Sequence, residues 1–146
     1  MPLACLAFAC GENKHEASGG TGATGATTLD ACAFMPRARV EAQLGELDGG
    51  SHSIPGSVPV LATCRQRLAG DLQATLTVRS LTDFDAMAEG GTQLSGLGEQ
   101  AMQTQSGVSL KLSGQPHFFH IVVTGPRGLE IEKTIELAKI VATSVK

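Results

Sequence analysis

The sequence predicts an α+β domain: an antiparallel sheet of about five strands packed against an N-terminal helix and a longer C-terminal helix. Three observations carry that prediction. Leu72, Ala74, Leu76 and Val78 alternate with Gln73, Thr75, Thr77 and Arg79, the two-residue period of a strand with one face on a core. Ile131, Ile135, Ala138, Ala142 and Val145 recur at helical spacing, with Leu137 and Val141 widening the stripe. The apolar runs between them are separated by short turns, and strands joined so closely must be antiparallel.

The elements follow in chain order. Pro36 suits the first turn of a helix, where its missing N–H costs nothing. Val40 and Leu44 then share one face, and Gly45 ends the helix. Asp48 to Pro59, rich in Gly, Pro, Ser and His, is expected to be a loop. Val60 to Leu68 is the expected partner of the alternating strand, joined to it through Ala69-Gly70-Asp71. Leu81 to Glu89 predicts a short helix with Asp83 near its start, ended by Gly90-Gly91.

A second meander is predicted next. Ala101 to Gln105 and the alternating Val108-Leu110-Leu112 form two strands about Ser106-Gly107. Gly114-Gln115-Pro116 turns the chain into His117 to Thr124, whose mixture of Phe118, Phe119, Ile121, Val122 and Val123 predicts a strand covered on both faces. Gly125-Pro126 breaks that strand, and Leu129 to Val145 forms a helix of about four and a half turns. Both main helices are expected on the sheet face presented by Leu72 to Val78.

The chain of 146 residues divides into three unequal parts. Residues 1–10, MPLACLAFAC, carry no charged side chain. Residues 11–28 end in a stretch, Ala17 to Thr28, made only of Ala, Ser, Gly and Thr, with too little apolar surface to offset its ordering entropy. Residues 29–146 hold the predicted domain. With 11 Lys and Arg against 14 Asp and Glu, and neither Trp nor Tyr, the chain lacks the basic excess and stacking platforms of a nucleic-acid binder. No apolar run approaches the roughly 20 residues of a membrane-spanning helix.

The opening resembles the end of a bacterial lipoprotein signal, with Ala7-Phe8-Ala9-Cys10 as its lipobox. That resemblance implies a diacylglyceryl group on the Cys10 thiol, a membrane anchor, and residues 11–28 as a flexible tether. No positively charged segment precedes the apolar stretch, which translation from a start upstream of Met1 would explain. The alternatives are a cleaved, secreted form and an ordinary apolar terminus with free thiols at Cys5 and Cys10.

Two further cysteines lie inside the domain. Cys32 precedes the first helix, and Cys64 falls at an inward position of its strand. A Cys32–Cys64 disulfide would tie helix to sheet and, in an exported protein, is the expected state; two buried thiols are the alternative. No C-x-x-C occurs, so no metal site is expected of these thiols.

Asp30 to Gly45, containing Cys32 and the short helix, is similar to the opening of the DUF3558-type domain of bacterial lipoproteins. Cys64 at a hairpin, Gly96-Leu97-Gly98-Glu99-Gln100-Ala101 and the C-terminal amphipathic helix follow in the order of that family. Gln66 stands where its members often carry Trp. The resemblance implies an exported, disulfide-bonded, lipid-anchored α+β domain and names no reaction.

Catalytic signals are sparse. His117 and His120 are three apart on a strand, so they point to opposite faces and are poorly placed to share one metal ion. Their plainer reading is one partly exposed His at a turn and one at a sheet surface. His15 and His52 are expected in exposed segments. No nucleophile elbow, zinc-protease motif, P-loop or dinucleotide fingerprint is present, so no catalytic residue, metal or cofactor is assigned. Gly96 and Gly98 are expected to permit a tight backbone path. Asp83, Asp85 and Glu89 lack the ligand spacing of an EF-hand. Arg37, Arg39, Arg65 and Arg67 are either ordinary solvated charges or one basic patch for an anionic ligand or lipid headgroup.

The leading functional expectation is a lipid-anchored cell-envelope protein whose non-enzymatic domain binds a small ligand or an envelope protein. It would stand on the outer side of the cytoplasmic membrane or in the outer membrane. An exported hydrolase or transferase with a His/carboxylate site is the second reading. A secreted inhibitor-like module presenting Gly49 to Pro59 as a rigid loop is the third.

Overall fold

The alternating segment forms the strand β3 (Leu72–Ser80), which pairs on both sides near the middle of the sheet. The structure, a computed structural model, describes residues 29–145. Cys10 and the expected tether at 11–28 lie outside the described residues. A single 3-10 turn (Ala31–Phe34) leads into α1 (Arg37–Leu44), which has Pro36 as its N-cap rather than in its first turn and ends at Gly45 as predicted. Strands β1 (Leu47–Pro55) and β2 (Val60–Leu68) precede β3. A second 3-10 turn (Leu81–Asp83) continues into α2 (Phe84–Ala88). Strands β4 (Thr92–Gln93), β5 (Gln100–Thr104), β6 (Gly107–Lys111), β7 (His117–Gly125) and β8 (Gly128–Leu129) come next, and α3 (Ile131–Ser144) closes the domain.

All pairings are antiparallel, in the order β1-β2-β3-β7-β6-β5-β4, with β8 on β7. The α+β class and the two flanking helices match the sequence expectation. The sheet has 8 strands where about five were expected. Two of the extra strands, β4 and β8, are two residues long and carry no periodic signal.

The third, β1, corrects the expectation of a loop from Asp48 to Pro59. It is an edge strand in which only Leu47 is buried, so it needs backbone pairing rather than an apolar face. Ser51 to Pro55 pair with Gln66 to Ala62, and the register shifts between Leu47 and Ser51, at Gly49-Gly50. Pro55 ends the strand, where its missing N–H costs little. The protruding loop of the inhibitor-like reading therefore shrinks to residues 56–59.

The main core lies on one face of the sheet. Ala62, Cys64, Leu68, Ala74, Leu76, Val78, Phe119, Ile121 and Val123 point into it, and Val40, Met35, Leu137, Ala138 and Val141 cover it. Each large aliphatic or aromatic side chain buried there contributes about 1.5–3 kcal/mol relative to exposure. The buried face of α3 is Thr134, Leu137, Ala138, Ile140 and Val141. Ile131, Ile135, Ala142 and Val145, central to the predicted stripe, are only partly buried. The shift arises because a polar residue, Thr134, faces inward to meet the Val123 backbone.

The opposite face is covered at one end only. There α2 lays Phe84 and Ala88 on Phe118, with Leu81, Met87 and Met102 around them. His117 to Ile121 are consequently buried on both faces, as their mixed composition predicts. Across β1, β2 and β3 the same face presents His52, Arg65, Arg67, Gln73 and Thr75, none of them buried.

Candidate functional site

The sheet face opposite α1 and α3 is where side chains stand without a covering layer, and strand register dictates which of them meet. His52 lies across from Arg65, Arg65 from Thr75, and Arg67 from Gln73. Residues directly opposite in an antiparallel pair share a face. Arg65 and Arg67, two apart on β2, therefore project side by side about 7 Å apart. Next to them the register shift of β1 opens a cleft of about 390 Å3 lined by Asp48, Gly49, Gly50, His52, Arg65, Arg67 and Gln73.

The four-arginine patch does not form. Arg37 bonds to Glu41 at 2.6 Å on α1 and donates to the Gly49 carbonyl at 3.2 Å. Arg39 bonds to the hydroxyls of Thr143 and Ser144 on α3. Both belong to the helix side of the sheet, whereas Arg65 and Arg67 belong to the bare side. His52 was missed as their neighbour because the segment carrying it has no strand-like pattern.

Further along the same face, His120 meets Ser109. Ser109 Oγ lies 3.2 Å from His120 Nδ1, and His120 Nε2 lies 3.2 Å from the Ser106 carbonyl oxygen. Burial pushes the His120 pKa below its usual 6.5, and the charge of Arg79 pushes the same way; the Ser106 hydrogen bond opposes them. Both ring nitrogens are engaged, which leaves neither for a carboxylate. Ser109 is 0% exposed, so a substrate has no path to its hydroxyl. The pair ties β6 and β7 to the turn before β6.

His117 faces the main core beside Phe34 and Phe119, with ring centroids 6.1 and 5.3 Å away. The two histidines thus occupy opposite faces as predicted. Both are buried, which corrects the expectation of a partly exposed His and a surface one. The strand they share is sandwiched, Phe34 closing over one end and α2 over the other side.

Asp83 bonds to Arg79, with Oδ2 2.6 Å from Nη2, and is committed to that pair. Among the described residues no group of three His, Cys, Asp or Glu is placed to hold a metal ion. Gly98 takes the tight path expected of it: φ is +63°, and a Cβ there would meet Leu110 Cδ1 and the Lys111 carbonyl oxygen, each at 2.7 Å. Gly96 has φ +73° and open space around it. The Cys32 and Cys64 sulfurs form a disulfide that pins the 3-10 turn before α1 to the centre of β2. Asp30 caps that turn by accepting from the Cys32 N–H at 2.9 Å, and Ser53 Oγ of β1 accepts from Ala31 N–H at 2.9 Å.

The fold and this face define a disulfide-tied α+β domain with one helix-covered and one half-bare sheet face. No family model, curated protein or solved structure matches the chain.

Proposed function

We propose that the chain is a lipid-anchored protein of the bacterial cell envelope, a DUF3558-type lipoprotein whose domain binds a ligand or partner without catalysing a reaction. The observation that carries this reading is the Cys32–Cys64 disulfide, because such bonds persist in oxidising compartments outside the cytoplasm. Cys10 would bear the diacylglyceryl and palmitoyl chains, and residues 11–28 would hold the domain off the membrane. The domain would then stand on the outer side of the cytoplasmic membrane or in the outer membrane. The half-bare face with Arg65, Arg67 and His52 supports a binding role, and the inaccessible Ser109 hydroxyl favours it over a hydrolase or transferase.

Palmitate labelling in a bacterial host tests the anchor. The wild-type chain should take up label and fractionate with membranes, and Cys10→Ala should do neither. Labelling and fractionation unchanged in Cys10→Ala would overturn the assignment.

A further inference from the structure

We propose that the cleft between the β1 bulge and the Arg65–Arg67 pair is a binding site for a phosphate group, which rests on the reading of this domain as a binding module and gives that module a ligand class. Among the described residues Arg65, Arg67 and Arg127 have no side-chain hydrogen bond or ion pair, and of these only Arg65 and Arg67 stand side by side. Arg37 and Arg79 are each held by a carboxylate, and Arg39 by two hydroxyls. No carboxylate among the described residues lies within 4.0 Å of the Arg65 or Arg67 guanidinium, although the chain has a net charge of −3. Adjacent like charges with no counterion among the described residues favour an anion from outside.

The surroundings fit that anion. His52, across from Arg65, and Gln73, across from Arg67, add N–H donors on either side. The register shift at Gly49-Gly50 removes side chains from the place where an edge strand would otherwise close the cleft, leaving about 390 Å3 open to solvent. Two guanidinium forks with an amide and an imidazole offer more donors than a planar carboxylate can accept. A tetrahedral phosphate, with oxygens pointing in several directions, uses them better. Asp48 is the one carboxylate in the lining and opposes a bound anion, so it sets the affinity low and makes it adjustable. The same chemistry is offered by a phospholipid headgroup and by a soluble phosphate.

The test uses the full chain and two arms. Backbone amide shifts are followed on titration with inorganic phosphate and glycerol phosphate. Sedimentation is measured in parallel with phosphatidylcholine vesicles, with and without phosphatidylglycerol. Binding in the first arm identifies a soluble phosphate as ligand; binding only to the phosphatidylglycerol vesicles identifies a headgroup. In either case Arg65→Gln/Arg67→Gln should weaken binding by about tenfold or more, and Asp48→Asn should strengthen it. Lys133→Gln/Lys139→Gln removes the same charge from α3 on the far side and should leave binding within about twofold. Absence of binding in both arms overturns the proposal, as does an equal loss in the two double variants, which would mean net charge alone. Palmitate labelling at Cys10 is untouched by either failure, so the anchor and the phosphate site stand or fall separately.

Discussion

Ser109 Oγ and His120 Nδ1 lie 3.2 Å apart across β6 and β7, directly opposite each other in the register. The Ser106 carbonyl oxygen, 3.2 Å from Nε2, can only accept, so the hydrogen-bond network places the ring proton on Nε2. Nδ1 then accepts from the Ser109 hydroxyl. That network describes the neutral imidazole in one tautomer; a proton added at Nδ1 would reverse the bond, with Ser109 Oγ as acceptor, and would place a charge in a buried site.

That arrangement predicts a loss of stability in mild acid. Burial lowers the folded-state pKa of His120 below the 6.5 of the unfolded chain, so below that value the unfolded chain takes up a proton that the folded one refuses. Stability therefore falls as pH drops through 6.5, by at most about 1.4 kcal/mol per pH unit, until the folded-state pKa is reached. Denaturant unfolding at several pH values should show this fall. The wild-type curve should be steeper than that of His120→Gln between neutral pH and pH 5, and parallel curves would refute the assignment.

What was legible in the sequence followed from side-chain periodicity. The alternation of Leu72 to Val78 placed β3, and Pro36, Val40, Leu44 and Gly45 placed α1, with Pro36 capping the helix rather than lying in its first turn, because those elements bury one face. Elements without a buried face left no such trace. β1 is held by its backbone pairing with β2, so Gly49, Gly50, Ser51 and His52 looked like loop. The candidate site inherits that blindness: Arg65 and Arg67 were visible as a pair on one strand, while His52 and the β1 bulge beside them were not. Gln66 was visible only as an absent Trp, yet it is 1% exposed and donates to the Met35 carbonyl at 3.0 Å.

The disulfide closes a loop with a sequence separation of 32 residues. On chain-entropy grounds its removal should cost about 3–4 kcal/mol. Cys32→Ala/Cys64→Ala should lower the denaturation midpoint accordingly without changing the strand content seen by circular dichroism. Protein from an oxidising compartment should be lighter than its reduced form by the mass of two hydrogens. Alkylation of Cys32 and Cys64 themselves after unfolding without reductant would contradict the pairing.

Gly98 and Gly96 separate two costs that a single substitution would mix. Both have positive φ, which costs an alanine about 1–2 kcal/mol. Only Gly98 also faces atoms that an added Cβ would strike, at 2.7 Å. Gly98→Ala should therefore destabilise clearly more than Gly96→Ala in paired denaturation curves. Equal losses would mean that the chain before β5 can move away from Leu110 and Lys111.

Thr134 makes the sharpest distinction between shape and hydrogen bonding. Its Oγ1 accepts from the Val123 N–H at 2.9 Å and donates to the Glu130 carbonyl at 2.8 Å, with the residue 0% exposed. The Glu130 N–H in turn donates to the Val123 carbonyl at 2.8 Å, so the start of α3 is fastened to β7 through both backbone groups of Val123. Thr134→Val keeps the volume and branching but leaves the buried Val123 N–H without an acceptor, an expected loss of about 1–3 kcal/mol. Thr134→Ser keeps the hydroxyl and gives up one methyl, an expected loss of about 1 kcal/mol. Hydrogen exchange at the Val123 amide should accelerate in the Val variant and change little in the Ser variant. If Thr134→Val proves as stable as the wild type, α3 is held by its apolar side chains, among them Leu137, Ala138, Ile140 and Val141, and the inward turn of its polar residue has no energetic role.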